Sequence, residues 1–70
     1  MQRNQSTQGA LVTALTAARR GEWWITQDEL ARAVRIEACA GRNAYNLDLL
    51  WQASKRKDLS VITALETEVK

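Results

Sequence analysis

Residues 21–34 read GEWWITQDELARAV, and the division of this stretch between strand and helix decides the fold. Thr26 stands at a helix N-cap position: Glu29, three residues on, completes a capping box, and Ile25 and Leu30 occupy the two positions of a hydrophobic staple. Asp28 and Glu29 add negative charge beside the positive end of the helix dipole. The pattern predicts a helix from Gln27 to about Val34, with Leu30, Ala33 and Val34 inward and Arg32 outward. Just upstream, Glu22-Trp23-Trp24-Ile25 is short and rich in strand-favouring residues. It predicts a strand of two or three residues, with Trp23 and Ile25 on one face and Trp24 on the other. Both indoles suit a core, while an exposed one would support a nucleic-acid backbone or a partner.

Towards the N-terminus, Leu11, Ala14, Leu15 and Ala18 fall on one helical face, and Gly21 ends that helix behind Arg19 and Arg20. Residues 1–9, with one charge and no large apolar side chain after Met1, are expected to be a disordered tail, with Ser6 or Thr7 capping the helix. Towards the C-terminus, Arg35-Ile36-Glu37 breaks the register, and a third helix is expected to begin between Ala38 and Gly41 and to reach about Arg56. Ala40, Ala44, Leu47 and Trp51 make its buried stripe, and Arg42, Tyr45, Asn46, Leu49 and Arg56 its exterior. In residues 60–70 the β-branched Val61, Ile62, Thr63, Thr67 and Val69 favour a strand paired with Trp23-Trp24-Ile25, although Ile62, Leu65 and Val69 also satisfy helical spacing.

Seventy residues make one domain with a thin core, because a chain of this size buries only about 60% of its unfolded surface. The single cysteine, Cys39, forms no internal disulfide; it reads as a small buried apolar side chain and fits a reducing, cytoplasmic setting. No apolar run approaches the ~18 residues of a membrane span, and no signal sequence opens the chain. There is no histidine, no glycine-rich phosphate loop, no nucleophile elbow and no paired-cysteine motif. Neither catalysis, cofactor nor metal is expected.

Charge is uneven along the chain. Residues 30–57 carry Arg32, Arg35, Arg42, Lys55, Arg56 and Lys57 against Glu37 and Asp48, a net of +4 within a chain of net +2. A basic stripe of this kind is the usual footprint of a phosphate-binding face. Helix, short strand, capped helix, turn, longer helix and strand is the element order of a winged helix-turn-helix domain. The expected fold is therefore mainly α, three helices with a minimal two-stranded sheet, over residues 10–70. In such a domain the second helix of the motif reads the major groove from its N-terminal end. Arg42, Asn43 and Asn46 would lie there, and Arg and Asn are the residues that pair bidentately with guanine and adenine. Arg35, Tyr45, Lys55, Arg56 and Lys57 complete the expected DNA face, the last three at phosphates.

WITQDELARAVRI, followed by a helix with Arg42 and Asn43 and then KRKDLSVITALE, resembles the small enterobacterial winged helix-turn-helix regulators of the CaiF/GrlA type. That resemblance implies framework roles for Trp24, Ile25, Thr26, Leu30 and Ile36, a DNA face at Arg42 and Asn43, and a prokaryotic transcriptional regulator bound to double-stranded DNA. A different use of the same exterior stays open. Arg42, Tyr45 and Leu49 would suit a small adaptor or inhibitor of phage or plasmid type, docking on a protein partner or a second copy, since Tyr and Arg are enriched at interface hot spots.

Overall fold

The computed structural model describes residues 5–69. Four helices follow one another: α1 (Gln5–Arg19), α2 (Trp23–Cys39), α3 (Tyr45–Lys55) and α4 (Ser60–Glu68). α1 packs most extensively on α2 and also on α4, while α3 packs on α2 and more lightly on α4, so the helices close a ring. Leu11, Ala14, Leu15 and Ala18 of α1, Trp23, Leu30 and Ala33 of α2, Leu47 of α3, and Val61 and Leu65 of α4 form the core. Side chains of α1, α2 and α3 point inward as their helical spacing predicts. The Ala-rich face of α1 leaves room for its neighbours to come close.

The winged helix with a two-stranded sheet is overturned: among the described residues there is no strand. Trp23-Trp24-Ile25 forms the first turn of α2. Strand preference is weak and contextual, and an isolated pair of short strands is marginal in water, whereas a helix here buries Trp23 and leaves Trp24 67% exposed. Residues 60–68 are likewise helical, because Val61 and Leu65, one turn apart, are both fully buried in that form.

Thr26 is not an N-cap. The helix begins four residues earlier, and the N–H groups of Ile25 and Thr26 both donate to the Glu22 carbonyl, at 3.1 and 3.3 Å. Thr26 is fully buried, and its hydroxyl donates to the Ala14 carbonyl of α1 at 3.1 Å. Glu29 faces Arg32 instead of the Thr26 amide. The helix also continues through Arg35-Ile36-Glu37 to Cys39, which is exposed rather than buried. The expected tail is corrected too: Gln5–Gly9 lie within α1, and Thr7, two residues inside that helix, is buried and caps nothing. The rest of that tail, residues 1–4, lies outside the described residues.

Three helices stop in the same way. After α1 the Glu22 and Gly21 amides donate to the Ala17 and Ala18 carbonyls, after α2 Arg42 and Gly41 donate to Glu37 and Ala38, and after α3 Asp58 and Lys57 donate to Ala53 and Ser54. This is the Schellman pairing, which requires a left-handed residue at its centre. Gly21 and Gly41 supply it with φ of 78° and 75°, and the third position is filled by Lys57 at 55°. Side chains tie the ring together: Gln27 to the Ser54 carbonyl, Gln8 to the Val69 carbonyl, and Arg19 to Glu66.

Candidate functional site

The helix expected to begin between Ala38 and Gly41 begins at Tyr45, and this shift rearranges the expected DNA face. Residues 40–44 are a connection. Within it, the Schellman pairing at Gly41 places Arg42 directly over Glu37. An apolar contact usually joins these two positions; here it is an ion pair between the Arg42 Nε and a Glu37 carboxylate oxygen, with side-chain exposures of 21% and 6%. Arg42 is thus turned inward. Asn43 is also engaged, its Oδ1 accepting the Tyr45 N–H at 2.8 Å and so satisfying a free donor at the start of α3. Neither residue sits on the helix that was to carry it into a groove. Ala40 is exposed and Ala44 half-buried, so the expected inner stripe survives at Leu47, with Trp51 half-buried beside the core.

The remaining expected residues are divided between two surfaces. Along the outside of α3, Tyr45, Leu49, Gln52 and Arg56 follow at helical spacing, with Tyr45 65% and Leu49 44% exposed. Asn46 is exposed beside them, and Arg56 reaches back to the Gln52 carbonyl at 3.4 Å. On the flank facing α2, Arg35, Asp48 and Trp51 line one cleft together with Ala31 and Val34. The Lys55 ammonium stands 4.5 Å from the centroid of the Trp51 ring, a cation–π contact. Asp48 Oδ2 accepts the Gln52 side-chain amide at 2.8 Å. Lys57 is exposed at the end of α3.

The structure therefore brings Arg35 and Lys55 to one flank and Tyr45, Leu49 and Arg56 to the outer face, and it withdraws Arg42 and Asn43. Sequence reasoning missed Glu37 as the partner of Arg42 and Trp51 as the platform under Lys55. Reading Gly41 as the left-handed residue of a Schellman stop would have paired Glu37 with Arg42. The Trp51–Lys55 spacing of one turn would have paired the other two.

Among the described residues no group of three or more His, Cys, Asp or Glu side chains is placed to hold a metal ion, and no helix is long and apolar enough to cross a membrane. No family model, curated protein or solved structure matches this chain.

Proposed function

We propose that this domain is a protein-binding module that engages its partner with the outer face of α3. The observation that carries this reading is the adjacency of Tyr45 and Leu49, two large side chains held open on a well-ended helix with Arg56 continuing the same line. Tyr, Leu and Arg in one stripe combine apolar contact area with a charge able to anchor a carboxylate. Arg42, expected to belong to this face, drops out of it because Glu37 already holds it.

The domain should capture a partner that Leu49→Asp loses and Lys57→Gly retains, with helical circular dichroism unchanged in both. Equal capture by wild type and Leu49→Asp overturns the reading.

A second reading, duplex DNA held by phosphate contacts, is favoured by the exposure of Arg35, Lys55, Arg56 and Lys57. Such binding releases counterions and falls steeply with salt, whereas an apolar interface does not. Absence of duplex binding at ~50 mM salt, where nonspecific attraction is strong, removes this reading.

A further inference from the structure

The α2–α3 cleft is an open recess of about 180 Å³ between Ala31, Val34, Arg35, Asp48 and Trp51. Sites for whole small molecules run to roughly 300–1,000 Å³, so this recess is nearer the scale of a single side chain. Its chemistry has two parts. Ala31, Val34 and the Trp51 ring are half-buried and supply apolar contact. Arg35 lines the edge, and the exposed Lys55 stands over the Trp51 ring. Asp48 is the carboxylate among the lining residues, and the Gln52 amide already satisfies one of its oxygens.

We infer that this cleft receives one large apolar side chain, of leucine or phenylalanine type, from an acidic segment of the partner protein, whose flanking carboxylates meet Arg35 and Lys55. This rests on the reading of the domain as a protein-binding module and adds the chemistry of what it binds. Charge complementarity selects the occupant: Arg35 and Lys55 stand at the cleft against Asp48 alone, so an acidic segment is favoured at this flank over a basic one. The chain's own stretch around Leu65 does not supply the occupant, since Leu65 is fully buried in the core and Glu66 is paired with Arg19. A phosphate backbone has nothing to place in an apolar recess.

The test is titration of the isotope-labelled chain with a synthetic peptide of about a dozen residues, a Leu-Phe pair flanked by Asp and Glu, followed by amide and indole resonances. Two altered peptides replace either the Leu-Phe pair by Ser or the acids by their amides, and a short DNA duplex is a third competitor. The acidic apolar peptide should shift the amides of Ala31, Val34, Arg35 and Asp48 and the indole N–H of Trp51. It should bind about tenfold tighter than either altered peptide, a difference of ~1.4 kcal/mol, and Arg35→Glu should weaken it by a similar factor. Equal binding of the Leu-Phe and Ser peptides, or cleft shifts produced as well by the duplex, overturns the inference. A domain that captures its partner through Leu49 yet shows no cleft shifts overturns this inference alone and leaves the proposed function standing. Cleft shifts without any partner loss in Leu49→Asp sustain the cleft and remove the outer face.

Discussion

The Thr26 hydroxyl donates to the Ala14 carbonyl at 3.1 Å, a bond between α2 and α1 made where neither side chain touches solvent. α1 and α2 are the most extensively packed pair of helices, and this is a buried polar contact joining them. Breaking such a bond is costly because the buried groups have no water to turn to.

Thr26→Val, which keeps the shape and removes the donor, should cost about 1 kcal/mol. For a domain of this size that lowers the melting temperature by roughly 4–8 °C. Thr26→Asn should be worse, because the larger polar side chain does not fit a fully buried position. A capping role predicts the reverse order, since Asn is an excellent cap and Val a poor one. Thermal unfolding of the two variants separates the roles.

Arg42→Ala should destabilise the fold, in contrast to a residue that reads DNA. Removing one partner of a buried ion pair costs about 3–5 kcal/mol, and the partial exposure of Arg42 reduces this to roughly 2–3 kcal/mol. Pairing it with Glu37→Met should recover part of the loss, because the buried carboxylate deprived of its cation is then gone. Denaturant titration of the single and double variants gives the coupling.

Lys57 occupies the left-handed position that glycine fills after α1 and α2. That backbone costs a side-chain-bearing residue about 1–2 kcal/mol, and the greater chain entropy of glycine takes back about 0.5–1 kcal/mol. Lys57→Gly should therefore raise stability by about 0.5–1 kcal/mol. Lys57→Ala, which removes the charge and keeps the strained conformation, should bring no such gain.

Asp58 supplies the pH-dependent contact at the start of α4. Its Oδ1 accepts the Ser60 backbone N–H at 2.9 Å. That bond, reinforced by the Ser60 hydroxyl and by the charge of Arg56, holds its pKa below the ordinary 3.8 despite the opposing effect of burial. The unfolded chain then takes up the proton first as pH falls. The contribution is complete above about pH 5 and is lost as pH drops through 3.8 towards the lower folded value. Asp58→Asn keeps an acceptor and cannot titrate, so its melting temperature should fall less than that of wild type over this acid range.

What the sequence by itself determined was the inward faces and the end of α1. Leu11, Ala14, Leu15 and Ala18, then Leu30 and Ala33, then Leu47, recur at intervals that only a helix places on one side, and all are buried. Gly21 ends α1 as read, because few other residues enter the left-handed region at so little cost; Gly41, expected near the start of α3, ends α2 in the same way. The exposure of Tyr45, Asn46, Leu49 and Arg56 was legible for the same reason of spacing. Tertiary structure decided what local preference left balanced. Trp23-Trp24-Ile25 and Val61-Ile62-Thr63 carry strand-favouring side chains, and a strand needs a partner ladder to satisfy its backbone, whereas a helix satisfies its own and here also buries Trp23, Val61 and Leu65 against α1 and its neighbours. Thr26 was drawn from cap to core, and Arg42 from the expected groove to Glu37, by partners distant in the chain or brought near by a turn. A desolvated polar group is bound by whichever partner the packed helices place beside it, and a short sequence window does not contain that partner.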